Sequence, residues 1–459
     1  MISQSEINPV ALILQTRGAT SGSVLARELN VSQPTLSRRL AALGSSVERI
    51  GARRSSRYAL RRDVRNLGSS WPIYRMIESG QASLWGELRS LHGGFRALLR
   101  PSAVSSWLET LYPDQLYPGL PFFIQDVRPQ GYIGRAIGRR AGPLLGVSTD
   151  VRDWSDDDVL AYMLAEGDDL LGDLILGEHA LERALRRMDT AEAGAIESRD
   201  RAAAFPLRAE AAQRGDQVGS SAGGEQPKFL ALVRRPGGIS NVLVKFSSAD
   251  RSPVQRRWMD LLVSEHLAAE LLAQRHVPGA RTEIVDGGGR RFLEVERFDR
   301  VHAFGRRGLL TLGSLEDGAL DATSPDWLGA SKVLEAAGLL RPKDARRLRW
   351  VACFGDLIGN SDMHRGNASF LFGAPPFVPT PAYDMLPMLH APGAQGELAS
   401  REFSPRPPMP GVADVWPDAA AAAVEFWARV ESDPRISADY RRIAESCGAR
   451  VAVLQARLG

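Results

Sequence analysis

The sequence predicts a protein of the α+β class that contains more than one domain. Its 459 residues exceed the usual length of a single domain, so two or three domains are expected. Residues 1–65 show three short helical patterns followed by a hairpin pattern, and residues 228–277 show two β-type runs followed by a long helical pattern. Apolar residues make up 44% of the chain and charged residues 24%, which is typical of a soluble globular protein.

The sequence also indicates the cellular compartment in which the protein is expected. No apolar run approaches the roughly 18 residues that span a bilayer, and residues 1–18 lack the basic start and small-residue cleavage site of a signal peptide. The two cysteines, Cys353 and Cys447, lie among apolar residues on predicted helices and are too few for a disulfide framework. We therefore expect a cytoplasmic protein with no membrane partner.

The charge is concentrated at the start of the chain. Residues 1–65 contain eleven arginines against four acidic residues, a net charge of +7, whereas the whole chain carries +3 and the remainder therefore carries −4. This distribution predicts a polyanionic partner for the first 65 residues alone.

The elements of this basic head are typical of a winged helix-turn-helix domain. Helical spacing covers residues 9–18, 20–30 and 31–44, with Ser32 as the N-cap of the third helix. Residues 47–60 then predict two strands around the turn GARRSS. In such a domain the third helix enters the major groove of duplex DNA and the wing meets phosphates, and paired half-sites favour a homodimer. The predicted DNA contacts are Gln33, Thr35, Ser37, Arg38 and Arg39 on the helix and Arg53, Arg54 and Arg57 on the wing.

An alternative for the head is a protein-binding helical module whose arginines form only a solvated face. After the head, residues 61–72 are rich in Gly, Ser and Pro and predict a linker, and residues 189–205 predict a second break. The region between them has a mixed pattern of short strands and helices, which we place in one domain over residues 75–205.

A glycine-rich loop precedes the first long β-type run. In QVGSSAGGEQPKFLALVRR (217–235), Gly219, Gly223 and Gly224 alternate with Ser220 and Ser221. Glycine lets backbone N–H groups approach an anion closely and form a nest for phosphate oxygens. By itself this signal is weak, because such a loop is more often a hairpin turn, and the Walker pattern GxxxxGK[ST] is absent.

The second β-type run, NVLVKFSS (241–248), carries one of only four lysines in the chain. Lys245 is either an exposed edge residue or an amine that pairs with a phosphate, a role that the planar arginine side chain does not fill equally well. Glu265 lies in the middle of the following helical segment, 254–277, where it could pair with Lys245, and 290–300 predicts a further strand. Glycine-rich loop, strand lysine, helix glutamate and strand follow each other as in the N-lobe of a kinase.

The segment GDLIGNSDMHRGNASFL (355–371) can then be interpreted as a kinase catalytic loop. Asp362 and Asn367 have the D-x4-N spacing of a kinase catalytic loop, in which the aspartate accepts a proton and the asparagine binds a metal ion. Asp384 follows seventeen residues later and takes the place of the second metal-binding carboxylate. Because Mg²⁺ needs few protein oxygens beside a nucleotide, ATP and Mg²⁺ are the predicted cofactors. Taken singly, a capped Asp/Asn-rich turn is the commoner explanation; the ordered set favours a kinase with Asp362, Lys245 and Asn367 as catalytic residues.

Five motifs, SAGGEQPK, VLVKF, VERFDR, LIGNSDMHRGNASF and AYDML, resemble those of the HipA-like serine/threonine kinases, the toxins of bacterial HipBA modules. Residues 120–135 and 167–177 are similar to the N-terminal subdomain of that family, so the resemblance covers roughly residues 75–440. It implies a two-lobed kinase fold after the winged head, with an N-lobe core over 206–300 and a mostly helical C-lobe over 301–459. The fused head makes the chain most similar to the YjjJ (HipH) type.

The resemblance implies further roles for individual residues. Ser221 corresponds to the loop serine that such kinases autophosphorylate, Glu296 and Phe298 to residues that hold the adenine, and His364 to a residue beside the phosphates. The full set of nucleotide-binding residues expected from the motifs is Ser220, Ser221, Gly223, Gly224, Gln226, Lys228, Lys245, Glu296, Phe298 and His364. The family also implies a protein phosphoacceptor and growth inhibition, while the fused head leaves open whether a separate antitoxin chain is a partner.

Two other functions are compatible with these patterns. One is a transcriptional regulator whose kinase-like body is a ligand sensor or an inactive remnant. The other is a kinase acting on a small molecule, since antibiotic and sugar kinases use the same D-x4-N logic. The intact Lys245, Asp362, Asn367 and Asp384 argue against a remnant, and the family resemblance argues against the small-molecule kinase.

Overall fold

The computed structural model describes residues 8–51, 56–214, 226–320, 324–393, 396–398 and 401–458. In the described part of the chain no helix is long and apolar enough to cross a membrane.

The head consists of three helices and a small antiparallel sheet. Its elements are α1 (Pro9–Arg17), β1 (Thr20–Ser21), α2 (Gly22–Glu28), α3 (Gln33–Ala42), β2 (Val47–Ile50) and β3 (Arg57–Leu60). The sheet order is β1-β3-β2. The predicted cap of the third helix is present, because the Ser32 hydroxyl accepts from the backbone N–H of Thr35. Leu14, Leu25 and Leu36 form the centre of a separate apolar core. The helices and the hairpin lie where the sequence predicts them.

The second region is built on a five-stranded antiparallel sheet with helices packed on it. Its strands are β4 (Ser70–Met76), β5 (Ala82–Leu91), β6 (Gly94–Leu99), β7 (Leu116–Tyr117) and β8 (Leu174–Leu176), in the order β7-β6-β5-β4-β8. Its helices are α4 (Ala103–Leu111), α5 (Phe122–Gln125), α6 (Gly131–Leu145), α7 (Asp156–Glu166) and α8 (Glu178–Gly194).

The segment 61–72, predicted as a linker, is held firmly between the head and this sheet. The backbone N–H of Arg62 donates to the Ser90 carbonyl at 3.1 Å, and that of His92 donates to the Leu60 carbonyl at 2.9 Å. Val64 is fully buried, and the Arg62 guanidinium donates to Asp157 at 2.8 Å. The strand β3 therefore continues into contact with β5, and the head is docked on the body through main-chain hydrogen bonds.

A second five-stranded sheet forms the small lobe of the body. Its elements are β9 (Ile196–Glu197), α9 (Arg201–Arg214), β10 (Lys228–Arg235), β11 (Gly238–Phe246), α10 (Pro253–Gln274), β12 (Thr282–Gly287) and β13 (Arg290–Glu296). The sheet order is β12-β13-β11-β10-β9. The break expected over 189–205 is narrower than predicted, because 189–194 still belong to α8 and 201–205 already belong to α9. Alanine is the best helix former, and this segment is rich in it.

The large lobe is mostly helical. Its helices are α11 (Leu312–Ala319), α12 (Trp327–Ala336), α13 (Pro342–Leu357), α14 (Trp416–Ser432) and α15 (Ala438–Leu458). Its short strands are β14 (Arg300–Val301), β15 (Gly305–Arg306), β16 (Leu309–Thr311), β17 (Ser369–Leu371) and β18 (Val378–Pro379). One apolar core runs from the second region through α10 into these helices. The loop 358–368 leaves the buried helix α13 and enters β17, so both of its ends are fixed.

Candidate active site

A cleft of about 1610 Å³ lies between the small lobe, the large lobe and the second region. Its walls come from β10, β11 and β13 on one side and from the loops around 361–367 and 383–384 on the other. The cleft brings together every described residue that the sequence assigned to catalysis, metal or nucleotide: Gln226, Lys228, Lys245, Glu296, Phe298, Asp362, His364, Asn367 and Asp384. Ser220, Ser221, Gly223 and Gly224 lie outside the described residues.

Lys245 is the centre of an ion-pair cluster. It stands opposite Lys228 in the β10–β11 ladder, and both side chains are almost fully buried. The Lys245 Nζ donates to the two carboxylate oxygens of Glu265 at 2.7 and 2.8 Å and to Oδ1 of Asp384 at 2.5 Å. Burial alone would lower the pKa of Lys245, but Asp384 and Glu265 raise it above its ordinary value. The sequence prediction that Lys245 is either an exposed edge residue or a paired amine is thus resolved in favour of a buried, charged amine.

The loop carrying Asp362 is held by its own side chains. Asn367 donates from Nδ2 to the Asp362 carbonyl at 2.8 Å, and the Nδ1 of His364 accepts from the backbone N–H of Gly366 at 3.0 Å. The hydroxyl of Tyr383 donates to the Gly366 carbonyl at 2.8 Å. These bonds leave the side chain of Asp362 partly exposed and partly buried at the mouth of the cleft.

Asn360 links this loop to the segment of Asp384. Its Nδ2 donates to the Asp384 carbonyl at 3.1 Å, and its Oδ1 accepts from the backbone N–H of Asp362 at 3.1 Å. One buried amide therefore fixes the distance between two site aspartates. The sequence shows Asn360 in the same polar cluster but gave no reason to assign it this role.

The two aspartates are placed in different electrostatic environments. Burial raises the pKa of Asp362, while the charge on His364 opposes that shift. Burial would also raise the pKa of Asp384, but Lys245 and Lys228 outweigh it and hold that pKa below its usual value. Two neighbouring carboxyl groups with pKa values pushed apart are suited to different roles, one as a proton acceptor and one as a permanent anion.

The oxygen atoms at this end of the cleft fit a magnesium ion. Asp384 offers a carboxylate, and Asn367 uses its amide nitrogen in the loop, which leaves its Oδ1 as an acceptor. Hard oxygen donors in small number are what Mg²⁺ takes from a protein when it also binds phosphates and water. Within the described ranges there is no cluster of three or more His, Cys, Asp or Glu side chains that could bind a metal by themselves.

A buried network of arginines and aspartates holds the segment that follows β13. Arg300 donates to Oδ1 of Asp169 at 2.8 Å and to the Gly172 carbonyl at 3.0 Å, and Asp299 accepts from the backbone N–H of Gly172 at 3.0 Å. Arg297 in turn pairs with Asp299 at 2.7 Å. The second region thus clamps the strand end where Glu296 and Phe298 line the cleft. The sequence analysis missed this network, since its two halves, residues 169–172 and 297–300, lie more than a hundred positions apart in the chain.

Comparisons with known proteins agree with this architecture. Residues 67–185 match the family model of the YjjJ-like toxin middle domain, and residues 220–451 match that of the HipA-like C-terminal domain. The chain is 33% identical over 452 residues to Toxin YjjJ of Escherichia coli (strain K12), covering 98% of both chains. In fold, it is similar to the HipA structure from the Shewanella oneidensis MR-1 toxin–antitoxin complex of HipA, HipB and operator DNA. That match has a TM-score of 0.50 and 17% identity, and it covers 84% of this chain and 97% of the other. The chain therefore belongs to the HipA-like toxin family and, within it, to the YjjJ-like toxins.

Proposed function

We propose that the chain is a serine/threonine protein kinase of the toxin type that uses Mg²⁺ and ATP and carries its own DNA-binding head. The observation that carries the proposal is the Lys245 amine held between Glu265 and Asp384 in the cleft that also contains Asp362 and Asn367. This is the set of groups that phosphoryl transfer requires: a phosphate-pairing amine, metal-binding oxygens and an oriented carboxylate.

Each residue then has a definite task. Glu296 and Phe298 line the cleft and are assigned to the adenine, and Lys228, Lys245 and Gln226, which also line it, are assigned to the phosphates. Asn367 and Asp384 would hold Mg²⁺, which when bound neutralises charge on the phosphates. Asp362 accepts the proton of the acceptor hydroxyl. At the same time the hydroxyl oxygen bonds to the γ-phosphorus of ATP, and the bond between that phosphorus and the leaving ADP breaks. Ser220, Ser221, Gly223 and Gly224 are assigned to the phosphate-binding loop by the sequence motif alone.

The same loop is the proposed site of self-modification. Phosphate on Ser221 would add about −1.5 to −2 charges at neutral pH next to the place taken by the ATP phosphates, so the modified loop and the nucleotide would repel each other. We expect actively expressed protein to carry phosphate at Ser221 or Ser220, and Asp362→Ala protein to carry none. Mass spectrometry of both preparations decides, and equal phosphorylation of the two contradicts the proposal.

The head is proposed to be a winged helix-turn-helix domain that binds duplex DNA. Gln33 at the first position of α3 and Arg38 in the middle of this helix are exposed, and Thr35 and Arg39 are half-buried beside them. The wing residues Arg53 and Arg54 lie outside the described residues. The prediction that Arg57 contacts phosphate is not supported, because its guanidinium pairs with Asp114 of the body. A homodimer on paired half-sites follows from this proposal, and an antitoxin chain is a further candidate partner because the related HipA was solved with HipB.

The direct test is transfer of radiolabelled phosphate from ATP. Pure protein should label itself or proteins of a cell lysate, and Asp362→Ala should reduce labelling by at least about 100-fold, because general base catalysis contributes typically 10²–10⁴-fold. Asp439→Ala is the matched control, since its carboxylate is exposed on α15 and pairs with the equally exposed Arg442. Labelling by Asp362→Ala at the parent rate would refute the assignment. No labelling by the parent, together with specific DNA binding, would favour a regulator with an inactive body.

A further inference from the structure

A second cavity of about 400 Å³ lies on the other side of the Asp362 loop from the nucleotide cleft. Its floor is formed by buried side chains of α12, α13 and the start of α14, among them Trp327, Ala352 and Trp416. The segment 406–412 closes one side, with Met409 exposed at the rim. The cavity thus combines an apolar floor with polar and charged side chains at its edge, as in sites that bind organic side chains or small ligands.

This cavity adjoins the candidate active site. Ser361, Asp362 and His364 line both the cavity and the nucleotide cleft. Anything bound in the cavity therefore lies directly beside the carboxylate that is to accept the proton of the acceptor hydroxyl. Because an extended chain advances only about 3.3 Å per residue, a side chain in the cavity and a hydroxyl at Asp362 would belong to residues a few positions apart.

One wall of the cavity is tied to the large lobe by side-chain contacts. Lys332 of α12 lies 3.5 Å from the Pro410 carbonyl, and Arg406 pairs with Asp356 of α13 at 2.5 Å. Arg346 donates to the Asp414 carbonyl at 2.7 Å. The segment 406–414 is therefore attached to two helices of the large lobe at several points, so the cavity is a preformed feature of the fold.

The charge around the cavity excludes a second nucleotide. The carboxylates of Asp326, Asp356 and Asp362 line it, against the guanidinium of Arg406 and the imidazole of His364. A polyphosphate or an acidic peptide bound in the cavity would be repelled by these carboxylates. A neutral or basic protein segment with an aliphatic or methionine side chain fits both the apolar floor and the acidic edge.

We propose that this cavity binds an apolar side chain of the phosphoacceptor protein, within a few residues of the hydroxyl that receives the phosphate. The proposal rests on the kinase function proposed above and names the substrate class for the same site: an extended, non-acidic segment with a Ser or Thr next to an apolar residue.

The test uses serine peptide libraries in which one flanking position at a time is fixed as Leu, Met, Ser or Asp. The parent should prefer Leu or Met at one position by about tenfold in kcat/KM, because a buried side chain of this size contributes at least the free energy that a factor of ten requires. Met409→Asp should remove the preference by raising KM for those peptides, with kcat and KM for ATP unchanged. Met409→Leu should keep the preference. Leu144→Asp is the matched control, since Leu144 is 77% exposed on α6 of the second region.

A binding measurement separates this inference from the kinase proposal. Fluorescently labelled peptides that carry Leu, Met or Asp at the preferred flanking position are mixed, without ATP, with increasing amounts of the full-length parent or Met409→Asp protein. Tighter binding of the apolar peptides to the parent, lost in Met409→Asp, supports the cavity even if no phosphate is transferred; the kinase proposal alone would then fail. Peptide phosphorylation without any apolar preference, or a preference that Met409→Asp retains, overturns the cavity inference and leaves the kinase proposal intact.

Discussion

At the scale of single residues, the most informative position is Lys245. The chain uses lysine at only four of its 57 basic Lys and Arg positions, and this one is 4% exposed between two carboxylates. A compact ammonium can reach both acids at once, whereas a planar guanidinium needs more room and a bidentate partner.

We expect Lys245→Arg to lower kcat/KM for ATP by about 100-fold, although the charge is retained. A mismatched buried ion pair costs several kcal/mol, and each 1.4 kcal/mol is a factor of ten. The matched control is Lys343→Arg on the exposed start of α13, which should be neutral. Steady-state kinetics of the two variants provide the measurement, and equal activity would remove Lys245 from the phosphate site.

Asp362 should set the acidic limb of the pH profile. Burial raises the pKa of this carboxyl above the usual 3.8, and only the ionised form accepts a proton. Transfer should therefore be lost as the pH falls through this raised pKa, at a higher pH than an ordinary aspartate would give. The profile of kcat/KM against pH measures the limb, and an acidic limb at or below the ordinary value would contradict the role.

His390 should make folding sensitive to moderate acid. Its ring lies 3.5 Å from the Cys447 sulfur, and burial lowers its pKa from 6.5 to about 4. The unfolded chain therefore binds a proton that the folded chain does not, so stability is full above the unfolded pKa and is lost as the pH falls from about 6.5 to 4. A pKa lowered from 6.5 to about 4 corresponds to roughly 3 kcal/mol of folding free energy. His390→Phe should show a smaller loss than the parent in melting curves across this range.

At the scale of elements, local signals predicted most of what the structure shows. The cap at Ser32, the lysine strand β11 and the loop from Asp362 to Asn367 each depend on short-range spacing, and each lies at its predicted position. The narrow break at 195–200 was overestimated, because polar composition hid good helix formers. The clamp between Arg300 and Asp169 was not predictable, because long-range ion pairs leave no periodic pattern in a sequence.

That clamp should act on nucleotide affinity and not on the chemical step. Arg300→Lys keeps the charge but cannot reach Asp169 and the Gly172 carbonyl together. We expect KM for ATP to rise by roughly tenfold with kcat and the acidic limb of the pH profile unchanged. Arg183→Lys is the control, since Arg183 is partly exposed and pairs with the buried Asp168 outside the clamp. A fall in kcat at constant KM would show that the clamp supports the fold or the catalytic loop instead.

At the scale of the whole molecule, the head and body form one connected structure. Glu48 of the head is buried against Arg89 and Arg96 of the second region, and Arg57 pairs with Asp114. The sequence predicted the head but not its docking, since a basic composition does not reveal which arginines are already neutralised by the body.

The head thus has arginines available for DNA and arginines that pair with the body, and this difference is testable with the full-length protein. Arg38→Ala should weaken duplex binding and change sequence preference, because Arg38 is exposed on the proposed recognition helix α3. Arg57→Ala should leave the salt slope of DNA binding unchanged and lower the melting temperature instead. Fluorescence anisotropy over a series of salt concentrations measures the first effect, and an equal reduction of the slope by both variants would contradict the assignment.

The docking of the head on the body has a consequence for how the amount of each part can vary in the cell. A regulator supplied as a separate chain obeys mass action, so its hold on the enzyme weakens when that chain is diluted or degraded. Here the Arg62–Ser90 and His92–Leu60 backbone hydrogen bonds join two parts of the same polypeptide, and their association is intramolecular, with an occupancy independent of protein concentration. Each molecule leaves the ribosome with a fixed ratio of one head to one body, so the cell cannot change that ratio through expression level or selective proteolysis of a partner.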